Sequence, residues 1–327
     1  MNLQRVGPAI ALVGVVGMGN PGAIAQGQGT VRVTGSSTVF PISQAIAKQT
    51  GNATVEFTGT TGGFQKFCQK QFDITGASRP IRPEEISACR RAGVFFYELP
   101  VAFDALTVAV NPQNTWVTSL SVAELRRMWE PAAEKKITKW SQVRPNFPDR
   151  PLALFGAGKD SGTYDYFTEA IVGKARSSRT DYVGSEDDEE LVAGVRKDVN
   201  GLGFFGLSYY EKHRQHLKAV AIEGPKGTVL PSAETVLSGR YQPLSRPLFL
   251  YVSQAAMERK EVRDFVTTYL TQAPQVVASV GYVPLSAQAY QVAQNRIHLG
   301  RVGTVFGGKS PIGMTLSQLL TTQGLQN

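Results

Sequence analysis

Three times in this chain a short branched or apolar run ends in a turn of glycines and small hydroxyl residues that opens a helix-like pattern. Thr30-Val31-Arg32-Val33-Thr34 leads through Gly35-Ser36-Ser37-Thr38-Val39-Phe40-Pro41 into an amphipathic run ending at Gln49. Thr54 to Thr58 leads through Gly59-Thr60-Thr61-Gly62-Gly63 into a helix from Phe64 to Gln71, and Leu152 to Phe155 leads through a glycine-rich turn to Ser161-Gly162-Thr163. At a helix start the first backbone N–H groups lack intrahelical partners, and the helix dipole adds about half a unit of positive charge. Such a place binds a tetrahedral oxyanion with N–H groups and hydroxyls and little help from formal cations. One turn of this kind is most simply an N-cap. Three of them, at the carboxyl ends of strands in an open parallel sheet, predict a shared anion site.

The same alternation of strand and helix runs through most of the chain and predicts an α/β fold, with two domains on length alone. Met1 to Ala25 carries Arg5, an apolar run from Ala9 to Met18 and an Ala23-Ile24-Ala25 ending, which reads as a secretory signal cut before Gln26. Its apolar run is shorter than the roughly 20 residues that span a bilayer, so an exported protein is expected. The net charge of +8 falls by one with Arg5 and favours acidic partners. The basic residues are scattered, however, and no stripe of arginine and aromatic residues marks a nucleic-acid groove. The two cysteines, Cys68 and Cys89, would meet an oxidising compartment, where a disulfide is the default and two structural thiols the alternative. His213, His216 and His298 are too few and too scattered for a closed metal site. Neither a GxSxG elbow nor a suitable histidine supports a Ser-His-Asp hydrolase.

Two long strands stand out, Phe96 to Val110 and Pro247 to Val252. The first carries Asp104 between Phe103 and Ala105, costly for a carboxylate unless paired, or else a turn residue ahead of a strand. Arg79, at the end of Gly76-Ala77-Ser78-Arg79-Pro80, is either a surface cation or a site residue. Near the end, Gly303 to Ser310 satisfies the GxxxxGK[ST] phosphate-loop pattern, but Pro311 and Gly313 stand where its helix should begin. A C-terminal turn packed on the first domain is the better reading.

GSSTVFP, GTTGG, GASRP, PVAFDALTVAVNP, the DSGTYDYF stretch, SEDD, GLGFFGLSYY and PLSRPLFLYVS occur in the order and spacing of the phosphate-binding proteins of bacterial phosphate ABC transporters. Nearly all of the chain after Ala25 resembles that family, in particular its cyanobacterial type. The resemblance implies a periplasmic-binding-protein-like fold of type II, two α/β domains joined by a double hinge with the ligand cleft between them. Residues 26–110 with 247–327 would form one domain and residues 111–246 the other. It further implies a monomer without a cofactor that binds inorganic phosphate in the periplasm and delivers it to a membrane permease. The ligand set would be Ser37, Thr38, Val39, Thr60 and Thr61 from one domain and Ser161, Gly162 and Thr163 from the other. In the enteric branch an Asp follows the GAS turn where this chain has Arg79, and an Arg precedes the SGT turn where it has Ala157. Arg79 is therefore expected to supply the guanidinium and Asp104 the carboxylate, with Asp160 the next acid to consider. A binding protein is expected rather than an enzyme. The competing readings are a phosphomonoester hydrolase using Ser161 and a carrier of sulfate or arsenate.

Overall fold

The structure, a computed structural model, describes residues 1, 29–159, 161–185, 187–308 and 315–322. The expected signal segment, Asp160, and Lys309 with Ser310 lie outside the described residues. The chain opens β1 (Val31–Gly35), α1 (Phe40–Thr50), β2 (Ala53–Val55), α2 (Gly59–Cys68), β3 (Ile74–Ala77) and α3 (Pro83–Arg91). Branched residues on β1 and β3 point into the core, and β1 pairs parallel with both β2 and β3. The expected Gly59–Gly63 turn is instead the first turn and a half of α2, because the left-handed bend is completed at Gly59 alone, at φ +72°.

Next comes β4 (Phe96–Val110), fifteen residues without an exposed position. It is followed by β5 (Ser119–Ser121), α4 (Val122–Trp129), β6 (Ala153–Ala157), α5 (Gly162–Val172), β7 (Val183–Ser185), α6 (Asp188–Lys197), β8 (Gly201–Gly206) and α7 (Leu207–His213). Short strands β9 (Lys218–Ala219), β10 (Ala221–Gly224) and β11 (Gly227–Val229) precede α8 (Ala233–Leu237) and the returning strand β12 (Ser245–Ser253). The chain closes with α9 (Lys260–Ser279), β13 (Val283–Pro284), α10 (Ala287–His298) and α11 (Leu316–Thr322). By sequence alone, Glu261 to Leu270 and Ala273 to Val280 read as two separate final helices. The structure corrects this to one helix with Pro274 inside it, followed by α10 and α11. Buried Val266, Tyr269, Leu270, Ala273, Val276 and Val277 make one continuous apolar face, and its packing outweighs the break that proline favours.

The main sheet runs β2-β1-β3-β12-β4-β8-β6-β7. Antiparallel β12 pairs with β4 from Phe96 to Ala105, and antiparallel β8 takes over from Leu106 to Val110. One strand thus belongs to two α/β lobes, each with its own parallel set, and the change of partner falls where the lobes meet. In the first lobe Tyr251 packs edge-on against Phe64 and Phe96. In the second, Trp129 packs edge-on against Phe167 and Phe204, which stack on each other at 3.7 Å. Cys68 and Cys89 form the expected disulfide, tying the end of α2 to α3. Closing that loop is worth about 3 kcal/mol in the chain-entropy view. The segment from Gly303 to Phe306 packs on the first lobe as expected: Gly303 N–H donates to the Phe96 carbonyl, and Phe306 lies edge-on to Phe249. Among the described residues no helix is long and apolar enough to cross a membrane.

Candidate functional site

Close glycine approach sets the first half of the site. Gly35 has φ +120°, and a Cβ there would lie 2.1 Å from the Gly76 carbonyl oxygen. A Cβ on Gly63 would lie 2.5 Å from the Gly35 Cα, so the ends of β1 and β3 and the start of α2 meet backbone to backbone. Three of the predicted segments converge as a result. Ser36 N–H donates to the Gly76 carbonyl, and Thr38 N–H donates to the Ser36 hydroxyl at 3.2 Å. Neither Val39, which caps α1, nor Thr58, which caps α2, accepts a side-chain cap hydrogen bond. Thr60 Oγ1 lies 3.1 Å from Ser78 Oγ, and Thr61 Oγ1 accepts from Arg79 at 3.0 Å.

The second half is the start of α5. Ser161 caps the helix, its hydroxyl accepting from Thr163 N–H at 3.1 Å. The simple N-cap reading is therefore fulfilled, and what adds a site is the position of the cap. A Cβ on Gly162 would lie 2.4 Å from Ser37 Oγ and 2.5 Å from Thr38 Oγ1. The SGT turn of one lobe thus abuts the SST turn of the other. The predicted residues fall around this contact. Ser37, Thr38, Asp104, Ser161, Gly162 and Thr163 line one cavity of about 350 Å³, and Ser37, Thr60, Thr61, Arg79 and Gly162 line another of about 300 Å³.

Asp104 is buried, which sets aside its reading as a turn residue. The guanidinium beside it belongs to Arg246, on β12 directly opposite in the sheet register, and not to Arg79. Both Arg246 Nε and Nη2 lie 3.5 Å from Asp104 Oδ2. The same Nη2 donates to Thr38 Oγ1 at 3.2 Å and to the Gly162 carbonyl at 3.3 Å, and the guanidinium lies over the Tyr166 ring at 3.7 Å. One cation therefore touches both turns. Its Nε has no hydrogen-bond partner among the described residues. Burial pushes the Asp104 carboxyl up from its ordinary range, and the charge and hydrogen bond of Arg246 work against that shift. Arg79 is held elsewhere, by a two-pronged pair with Glu85 at 2.7 and 2.9 Å, although it still lines the smaller cavity. Arg246 was legible as the charged residue of an otherwise apolar strand, but nothing in the sequence stated that this strand lies beside Asp104.

Two α/β lobes that share a sheet strand, and that press two helix-start turns together over a partly buried arginine, define a solute-binding protein with a cleft for a small anion. Residues 20–272 match the family model described as a PBP superfamily domain. The chain belongs to the bacterial phosphate-binding proteins of that superfamily. It is 50% identical over 301 residues to Protein SphX of Synechocystis sp., covering 90% of each chain. To the phosphate-binding protein PstS of Staphylococcus saprophyticus it is 31% identical over 297 residues, covering 88% of this chain and 91% of the relative. The crystal structure of a possible phosphate binding protein from Planctomyces limnophilus superposes with a TM-score of 0.77 at 44% identity, over 84% of this chain and 99% of that one. An ABC-type phosphate transport receptor from Vibrio cholerae shares the fold, with a TM-score of 0.64 at 20% identity over 77% and 99% of the two chains.

Proposed function

We propose that this protein binds inorganic phosphate between its lobes and delivers it to the membrane permease of a phosphate ABC transporter. The observation that carries this reading is Arg246, whose guanidinium bridges Thr38 of one lobe and Gly162 of the other beside Asp104. Hydroxyls and N–H groups from Ser37, Thr38, Ser161, Gly162 and Thr163 surround the phosphate oxygens, with Val39 behind them at the start of α1, its N–H donating to the Ser36 carbonyl, and Thr60, Thr61 and Arg79 border the same cleft. Arg246 joins this set as the charge partner of the anion. Asp104 accepts the hydrogen bond of a protonated phosphate oxygen. The phosphate-binding relatives support both the ligand and the permease.

The lobes act as domains, residues 26–110 with 247–327 and residues 111–246. The chain works as a monomer, exported by removal of residues 1–25, and as a carrier rather than an enzyme. Its Ser161 hydroxyl caps α5, and among the described residues no histidine lines either cavity.

Calorimetric titration of phosphate-stripped mature protein with phosphate, sulfate and arsenate tests the reading. One phosphate per chain, bound at least about tenfold more tightly than sulfate, is the expected result. Equal affinity for sulfate overturns the assignment of ligand. Turnover of a chromogenic phosphate ester that disappears in Ser161→Ala overturns the assignment as a carrier.

A further inference from the structure

Polar contacts alone do not fix the guanidinium of Arg246. Among the described residues its side-chain hydrogen bonds all come from one nitrogen, Nη2, at 3.2 Å to Thr38 Oγ1, 3.3 Å to the Gly162 carbonyl and 3.5 Å to Asp104 Oδ2. These lie at or beyond the long end of the usual N–H···O range of about 2.7–3.2 Å, and Nε makes no hydrogen bond there. Bonds that share one nitrogen hold a point and leave the plane of the group free to turn about it. The close contact is on the face: the guanidinium carbon lies 3.7 Å from the centre of the Tyr166 ring.

Tyr166 is itself held at both ends. It sits in α5 one turn beyond Gly162 and Thr163 and is buried, at 7% exposure. Its hydroxyl donates to the Pro243 carbonyl at 2.7 Å, in the segment that leads into β12 and Arg246. Burial pushes the phenol well above its ordinary range, so it stays a neutral donor. Helix α5 thus brings two things to the cleft, the Ser161-Gly162-Thr163 turn and a fixed ring over the cation. A guanidinium stacked on a ring keeps its N–H edge for oxygens, and the attraction of the ring face does not compete for those N–H groups. Tyr166 lines neither cavity, whereas Arg246 lines the one of about 300 Å³. We propose that Tyr166 is a positioning residue for the anion: its stack on Arg246 sets the plane in which the guanidinium meets phosphate, and it raises affinity without touching the ligand. This inference rests on the phosphate reading of the cleft and deepens it.

The test is calorimetric titration of phosphate-stripped mature protein with inorganic phosphate, in wild type, Tyr166→Phe and Tyr166→Leu. Tyr166→Phe keeps the ring and is expected to stay within about threefold of wild type, while Tyr166→Leu should bind at least about tenfold more weakly. Tyr166→Phe is also made with a trifluorinated phenylalanine at that position, which keeps the ring but drains its face of negative charge. Fluorination should weaken phosphate binding by about threefold or more relative to Tyr166→Phe, a response that a purely structural ring would not give. Wild-type affinity in Tyr166→Leu overturns the inference, as does equal affinity with and without the fluorines. Equal losses in Tyr166→Phe and Tyr166→Leu would assign the effect to the Pro243 hydrogen bond and overturn it as well. The fluorine comparison decides the matter even if Tyr166→Leu does not fold. Failure of the wild-type protein to bind phosphate would instead overturn the reading of the cleft beneath it.

Discussion

Arg246 and Asp104 set the chemistry of the cleft, and each is costly without the other. Both side chains are largely removed from water, at 12% and 3% exposure, so the pair exists at the expense of solvation. Phosphate at neutral pH usually retains a proton that Asp104 can accept, whereas sulfate has none and meets the carboxylate as a buried like charge. In Asp104→Asn the amide can donate to sulfate, and the phosphate-to-sulfate affinity ratio should fall by at least tenfold, about 1.4 kcal/mol. Parallel titrations of the variant with both anions check this, and a wild-type ratio would reduce Asp104 to a structural partner of Arg246. A second acid on β4, Glu98, went unweighed in the sequence and holds the C-terminal segment. It accepts from Tyr251 Oη at 2.8 Å and from Val305 N–H at 3.0 Å with no surface exposed. Burial raises its pKa, and the hydrogen bonds from Thr304, Val305 and Tyr251 only oppose the shift. A carboxyl raised on folding contributes stability that is complete below its unfolded pKa and is lost as pH rises through the folded value. The urea midpoint of wild type relative to Glu98→Gln should therefore fall as pH rises across the range above the ordinary glutamate value of about 4.3. A constant difference would mean that Glu98 does not titrate on its own in that range.

At the scale of elements, the helix starts bring hydroxyls and N–H groups to the cleft and the strands decide which of them meet. The start of α5 is pressed on the β1–α1 turn so closely that only glycine fits at 162. In Gly162→Ala the new methyl must displace Ser37 or Thr38, or hold the lobes apart, with overpacking costs of about 1–3 kcal/mol. Phosphate affinity should fall roughly tenfold or more by calorimetry, while the unfolding midpoint of the free protein changes little. Wild-type affinity would mean that the two turns need not touch when phosphate is bound. The α2–α3 disulfide lies behind this site. It joins the helix carrying Thr60 and Thr61 to the one carrying Glu85, which in turn fixes Arg79.

For the whole molecule, the cleft is the place where the two lobes meet. Across its mouth Arg82 of one lobe lies 3.5 Å from Glu169 of the other, an exposed pair worth at most about 1 kcal/mol. On the other side Gly281 of the first lobe abuts Ser208 of the second. These two contacts are slight beside the Arg246 bridge between Thr38 and Gly162, and a bound anion would favour a closed state only by its differential affinity for the open and closed arrangements. Small-angle scattering of stripped and phosphate-saturated protein should show a smaller radius of gyration with phosphate. An unchanged radius would mean that the lobes are already closed and that closure is not the signal a permease reads.

Local chemistry was enough to determine much of this protein. Glycines beside small hydroxyls at the ends of branched strands mark helix starts that suit an anion, because backbone N–H groups and turn geometry depend on neighbours in the chain. The alternation of strands and helices likewise marks an α/β fold, and the expectation of export marked the pairing of the two cysteines. What remained hidden depends on contacts between distant segments. Arg246 stands 142 residues from Asp104 and meets it only because β12 returns antiparallel to β4 in one particular register. The same return separates Arg79 from that acid and gives it Glu85 instead. Sequence spacing could supply a guanidinium and a carboxylate for the cleft, but which arginine serves was decided by strand pairing, since a shift of one residue in a sheet turns every side chain to the opposite face.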